Sequence, residues 1–338
     1  MNCARGNAPG LATGLALLWV GLLALAFAPT AAVASEPMFG AFGPEGARMR
    51  EQLWVLPSGD ANFPMRATVF RPASDPSGED KQRPLVVINH GTDEATRLSV
   101  SMPVYYYLSR WFVDRGYVVV LPQRRGHGAT GGPLAEAIGN CAHPDHYASG
   151  NVAADDIEAA VKFMTEQPFV AHDGAIVVGV STGGWASLAL SSRNLPQVQA
   201  IVNFAGGRGG HAYGELNAIC GRDALLSAAR MYATHAQEPT IWFYAKNDSY
   251  FGPKFAEDLA QTWSSADGSV EEHILQPYGN DGHSIADDRQ GWDIWGPSLD
   301  SFLQRVRDAA PKSVEMADDH GSRSPVMIET STITPRAK

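Results

Sequence analysis

The spacing of apolar positions changes along this chain and marks out its elements. Glu51–Leu56 and Met65–Phe70 alternate polar and apolar residues around a turn of Pro, Ser, Gly and Asp, which predicts an antiparallel hairpin. Continuous apolar runs follow at Leu85–Asn89, Tyr117–Leu121, Ala175–Val180, Gln199–Phe204, Ile241–Ala245 and, more weakly, His273–Leu275. Runs of this length suit strands covered on both faces, as in a parallel sheet. Between them, Asn151–Glu166 sets Val152, Ile157, Val161 and Met164 at near-helical spacing. Ala224–Tyr232, Lys254–Trp263 and Leu299–Val306 read as helices in the same way. Strand alternating with helix predicts an α/β domain: an open, mostly parallel, doubly wound sheet with an N-terminal antiparallel hairpin. In such sheets ligands bind beyond the carboxyl ends of the strands.

The ends of the chain read differently from its body. Leu11–Ala28 is apolar apart from Thr13 and two glycines, follows a start whose only charge is Arg5, and precedes the small-x-small run Ala32-Val33-Ala34. This predicts a signal peptide over residues 1–34, cut after Ala34. A retained N-terminal membrane anchor is the alternative, because the apolar stretch reaches the low edge of spanning length. Pro311–Lys338 mixes Ser, Thr, Pro, Asp and Lys without periodicity and reads as a flexible tail. Ala73–Pro84 reads as an exposed connection. One domain is expected over 35–310, and its long segment 206–239, with His211, Tyr213 and Cys220, is expected to form a small cap.

The charge balance narrows the partners. The whole chain carries a net charge of −10, and without the leader's single arginine the balance is −11. That disfavours nucleic acid and anionic membranes, and suits an exported, freely soluble protein once the leader is gone. The oligomeric state is left open. Of the three cysteines, Cys3 falls in the leader, and Cys141 and Cys220 are expected to pair as a disulfide in an oxidising compartment.

Candidate chemistry centres on Gly179-Val180-Ser181-Thr182-Gly183-Gly184, which follows an apolar run and opens a small-residue helix at Trp185. Strand, glycine-flanked serine and helix together predict a nucleophile elbow, a turn so tight that the positions two before and two after the serine must lack side chains. A serine nucleophile needs a base, and the base needs an orienting carboxylate. Asp248 stands in the turn after Thr240–Lys246, and His283 lies in the glycine-rich loop Gly279-Asn280-Asp281-Gly282-His283-Ser284. Ser181, Asp248 and His283 are therefore the expected catalytic set, with Asp281 a rival orienter. His90, His127, His211 and His273 are rival bases, the last placed inside a strand. The expected oxyanion donors are the amides of Thr182 and of Thr92, with Gly91 as the alternative to Thr92. His90 is expected to brace its loop. The loop Gln123–Gly132 lacks the lysine and spacing of a phosphate loop and reads as a rim near the elbow. Cys141-Ala142-His143-Pro144-Asp145-His146 is dense in ligand types but has no distant matching set, so no metal and no cofactor is expected. Trp185, Tyr250, Phe251 and Trp292 are candidates for lining a pocket or for plain core.

These residues resemble the α/β-hydrolase superfamily, in its dienelactone-hydrolase-like and exported serine esterase branch. The resemblance rests on Asn89-His90-Gly91-Thr92, Arg125-Gly126-His127-Gly128, the elbow, Asp248 and Asp281-Gly282-His283, and spans about Leu85 to Val306. It implies that Ser181, Asp248 and His283 act as nucleophile, acid and base. Dienelactone hydrolases carry cysteine at the elbow, and the serine here favours ordinary small-molecule esters. Two other functions remain open at this point: an exopeptidase or amidase using the same triad, and a non-catalytic binding protein on the same fold.

Overall fold

The computed structural model describes residues 38–74, 81–99 and 102–309. The predicted signal peptide, residues 75–80 of the connection 73–84 and the predicted tail lie outside the described residues. The chain begins with β1 (Gly40–Phe42), β2 (Gln52–Leu56) and β3 (Met65–Phe70), then β4 (Arg83–Asn89), α1 (Tyr106–Val113) and β5 (Val118–Gln123). A two-stranded ribbon, β6 (Gly139–Asn140) and β7 (His143–Pro144), leads into α2 (His146–Thr165). There follow β8 (Val170–Val180), α3 (Thr182–Ser191), β9 (Val198–Phe204), α4 (Arg222–Ala233), β10 (Thr240–Ala245), α5 (Pro253–Ser264), β11 (Glu271–Leu275) and α6 (Trp292–Ala309).

Nine strands form one sheet in the order β1-β2-β3-β5-β4-β8-β9-β10-β11. The hairpin β2–β3 is antiparallel, as its alternation predicts, and β3 runs antiparallel to β5. From β5 through β4, β8, β9 and β10 to β11 every pairing is parallel.

Because side chains alternate along a strand, each buried strand feeds two cores. On one face Leu85, Val87, Ala175, Val177, Ile201 and Trp242 pack with Ile157, Trp185, Leu225 and Leu259 from α2, α3, α4 and α5. On the other, Val86, Ile88, Val178, Val202 and Phe243 pack with Trp111 and Phe112 of α1 and Trp295 and Leu299 of α6. Within 206–239, α4 lies in the helical layer, with Leu225, Ala228, Ala229 and Tyr232 buried. Residues 206–220 instead form a looped segment carrying a short 3₁₀ turn at Ala212–Gly214 and a bridge between Gly210 and Ile219.

Helices α1 and α6 depart most from the sequence reading. No local pattern announces α1, which starts after Tyr105 in a left-handed conformation. Its first amides are capped from a distance, Tyr107 N and Leu108 N donating to Asp287 Oδ1 at 2.8 and 3.0 Å. Helix α6 begins at Trp292 rather than Leu299 and runs through Pro297.

Candidate active site

The elbow's geometry follows from its glycines. Ser181 links β8 to α3 with φ 56° and ψ −121°, a conformation that side-chain-bearing residues rarely adopt. A Cβ on Gly179 would stand 2.3 Å from Gly183 O, and one on Gly183 only 2.1 Å from Asn89 O. Both positions touch backbone, so no neighbouring side chain can move aside to admit a methyl group. The turn is pinned from β9 by Ser181 N donating to Phe204 O at 2.9 Å. Thr182 is the first residue of α3, where a helix leaves its amides without intrahelical acceptors.

Asp248 stands past the end of β10 and is buried. Its Oδ1 accepts from Tyr250 N at 2.8 Å and Phe251 N at 2.9 Å. His283 Nδ1 donates to the same carboxylate, 3.1 Å from Oδ1 and 3.0 Å from Oδ2. That bond assigns the ring proton to Nδ1 and leaves the Nε2 lone pair available as an acceptor. The imidazole packs on Tyr250, with ring centroids 4.3 Å apart. Ser181, Thr182, Thr92, Tyr250, Phe251 and His283 line one cleft of about 1310 Å³ beyond the carboxyl ends of the parallel strands.

The rival groups make other contacts. Asp281 touches the main chain of His283, not its ring: His283 N donates to Asp281 Oδ1 at 3.0 Å. His211 Nε2 lies 2.9 Å from Ser249 Oγ, and His273 Nε2 lies 2.9 Å from Glu271 Oε1. Gly91 N donates to the Tyr105 hydroxyl at 3.1 Å, which occupies the amide considered as the alternative to that of Thr92. Trp185 and Trp292 do not line the cleft; Trp185 is core and donates from Nε1 to His146 O at 2.9 Å.

Beneath the elbow lies a buried polar network that sequence reasoning did not assemble. Arg124, with no exposed surface, donates from Nε to Glu136 Oε2 at 2.8 Å and from Nη1 to His90 O at 2.7 Å. Thr92 Oγ1 lies 2.9 Å from Glu136 Oε1 and 2.9 Å from His127 Nε2. His90 Nδ1 donates to Gly91 O at 2.8 Å while its Nε2 accepts from Arg124 N at 3.2 Å, bracing the loop as expected. Burial, followed by the Arg124 cation, holds His90 well below the usual histidine range and brings His127 down to about 4. Burial pushes the Glu136 carboxyl up, but Arg124 outweighs it and holds that group well below the usual carboxylate range. The arginine pair in Gln123–Gly132 was the available signal. The neighbouring Arg125 likewise forms a buried pair, its Nε 2.7 Å from Asp156 Oδ1.

Cys141 and Cys220 are joined by a disulfide and both line the cleft. The bond ties the turn between β6 and β7 to the segment 206–220. Two of the other ligand-type side chains nearby are also engaged. Asp145 caps α2 by accepting from Ala148 N at 2.8 Å, and His146 Nε2 donates to Cys220 O at 2.7 Å. Among the described residues no group of three or more His, Cys, Asp or Glu is placed to hold a metal ion.

Similarity to known proteins follows this geometry. The profile of the dienelactone hydrolase family matches residues 84–315. Among solved structures, the chain is similar to an acylaminoacyl peptidase from Pyrococcus horikoshii, at 13% identity and a TM-score of 0.54, covering 79% of this chain and 42% of the peptidase. It thus spans less than half the length of that relative. It is also similar to an esterase from Pyrococcus furiosus, at 14% identity and a TM-score of 0.53, covering 79% of this chain and 97% of the esterase. No curated protein matches the chain in sequence. At these identities the structural likeness speaks for the fold alone, while the family profile covers most of the sequence. The chain belongs to the dienelactone hydrolase family and has the α/β-hydrolase fold.

Proposed function

We propose that this chain is an exported serine hydrolase of carboxylic esters. In this reading Ser181 Oγ attacks the ester carbonyl as His283 Nε2 takes its proton, and Asp248 stabilises the imidazolium that forms. The tetrahedral oxyanion is held by the amides of Thr182 and Thr92. Collapse expels the alcohol, which receives the proton from His283. Water, deprotonated by the same imidazole, then attacks the acyl-enzyme and releases the acid. Each step moves one proton through one ring nitrogen, and neither redox nor cofactor chemistry is required.

The observation that carries the reading is the pairing of His283 Nδ1 with the buried Asp248 carboxylate at 3.0 Å, in a cleft also lined by the elbow serine. A surface histidine has no reason to be held in one tautomer by a fully buried carboxylate; a general base does. Export is supported by the disulfide, a bond that persists in oxidising compartments.

The test is a pre-steady-state burst of p-nitrophenol from a short-chain p-nitrophenyl ester. A burst stoichiometric with protein, absent in Ser181→Ala, is the expected result, together with loss of fluorophosphonate labelling in that variant. Cleavage of aminoacyl amides in preference to esters would move the assignment to an amidase. No turnover of either would leave a binding protein.

A further inference from the structure

We propose that Asp281 is a positioning residue that fastens the turn bearing Asp248 to the loop bearing His283; this rests on the triad reading above. The two loops come from different strands, β10 and the edge strand β11, so the 3.0 Å contact between ring and carboxylate depends on how the loops are held together. One carboxylate does that at the residues that matter. Asp281 Oδ1 accepts from His283 N and from Ser249 N, both at 3.0 Å. Asp281 Oδ2 accepts from Ser249 Oγ at 2.5 Å. Ser249 directly follows Asp248, so the main chain one residue past the acid and the main chain of the base share a single anchoring oxygen.

The fastening continues outward. Having donated to Asp281, the Ser249 hydroxyl accepts from His211 Nε2 at 2.9 Å, and Asn217 N donates to Ser249 O at 2.7 Å. His211 also stacks on Tyr250, with centroids 3.7 Å apart, and Tyr250 packs on the His283 ring. The rim segment 206–220 is therefore tied to the same turn that presents the acid.

A separate set of bonds holds the start of the His283 loop. Asn247 Oδ1 accepts from Tyr278 N at 2.7 Å, and Asn247 Nδ2 donates to Tyr278 O and Gly279 O at 3.0 and 3.2 Å. Loss of Asp281 thus loosens His283 while the loop stays attached at Tyr278 and Gly279. The predicted consequence is a misplaced base on an otherwise folded protein.

The test compares Asp281→Ala, Asp281→Asn and Ser249→Ala in steady-state hydrolysis of a short-chain p-nitrophenyl ester, with thermal midpoint and circular dichroism as checks on folding. Displacing a reacting group by about 1 Å can lower a rate on the order of 10²-fold. Asp281→Ala is expected to lower kcat by that order while KM changes by less than about threefold, the signature of an interaction that acts on the transition state. Asparagine keeps an oxygen able to accept both amides, and Asp281→Asn is expected to recover kcat to within about fivefold of wild type. If Asp281→Ala does not fold, Ser249→Ala, which removes the Oδ2 contact and the bond from His211 but keeps both amides on Oδ1, is expected to lower kcat about fivefold at unchanged KM. Full kcat in folded Asp281→Ala, a loss confined to KM, failure of asparagine to recover more than alanine, or an unaffected Ser249→Ala overturns the proposal. Wild-type protein without Ser181-dependent turnover overturns the triad reading itself, whereas active wild type with a fully active Asp281→Ala overturns only the role given to Asp281.

Discussion

Thr182 Oγ1 donates to Thr92 Oγ1 at 2.9 Å, joining two residues 90 positions apart. One follows the elbow serine and the other lies in the loop after β4. Their amides are the proposed oxyanion donors, so the side-chain contact fixes the distance between two backbone groups that have to act on one atom. The Arg124–Glu136 pair supports both hydroxyls from below, with Arg124 Nη2 3.4 Å from each.

Removing that support should weaken catalysis without weakening binding. Thr92→Val keeps the shape of the side chain and deletes the hydroxyl. Loss of a whole oxyanion donor costs about 10²–10³ in kcat. Misalignment of a donor that is still present is expected to cost about tenfold, with KM little changed. Steady-state kinetics on a p-nitrophenyl ester check this, and an unaltered kcat would separate the network from the chemistry.

The same network predicts an acid-sensitive fold. His127 is brought down to about 4, against about 6.5 in an unfolded chain. Between those values the unfolded state binds a proton that the folded state refuses. Stability is therefore complete above pH 6.5, falls as the pH drops, and levels off near pH 4, by roughly 3 kcal/mol from this group. His90 acts in the same direction. Glu136, depressed in the fold, contributes stability that is fully present above its unfolded value near 4.3, so loss continues below that pH. Urea midpoints measured from pH 7.5 to 4.5 should decline, with a shallower decline in His127→Gln. A flat profile would contradict the buried neutral histidines.

The disulfide closes a loop spanning 79 positions. In the chain-entropy description a loop of that length stabilises by about 4 kcal/mol. Cys141→Ser/Cys220→Ser, or reduction with dithiothreitol, should lower the thermal midpoint by roughly 10 °C for a domain of this size. A midpoint indifferent to reductant would mean that the two thiols are not joined in solution.

Gly183→Ala tests the elbow directly. Its methyl group would meet Asn89 O, a backbone atom, at 2.1 Å. Overpacking of this kind costs about 1–3 kcal/mol, and relief requires the elbow to open. The expected outcome is a lower thermal midpoint together with loss of fluorophosphonate labelling at Ser181. Unimpaired labelling would show that the turn tolerates a side chain.

Legibility in the sequence followed the range of the interaction responsible. The strands of the parallel sheet were readable because burial on both faces writes a continuous apolar run. The elbow was readable because two glycines four positions apart, Gly179 and Gly183, leave a local signature. Helix α1 was not, since its cap is Asp287, some 180 positions away, and nothing beside Tyr105 announces a start. The start of α6 was obscured by Pro297, which the helix accommodates near its beginning. Asp248 and His283 could be placed in loops by following the strands, yet only coordinates bring carboxylate and imidazole together. Glu136 gave no signal at all: a lone carboxylate in a loop looks solvated until Arg124 arrives through the fold. Asp281 was visible as a carboxylate near the base, but which atoms of His283 it touches is a matter of three dimensions.

The backbone of Ser181 carries a further consequence. A chain that has not finished folding has nothing to hold this residue at φ 56°, because the restraining contacts come from β4, β9 and the start of α3. In the proposed mechanism a newly made or partly unfolded molecule is thus chemically mute, and reactivity of Ser181 toward an electrophilic probe would gauge how many molecules in a sample have reached the finished sheet.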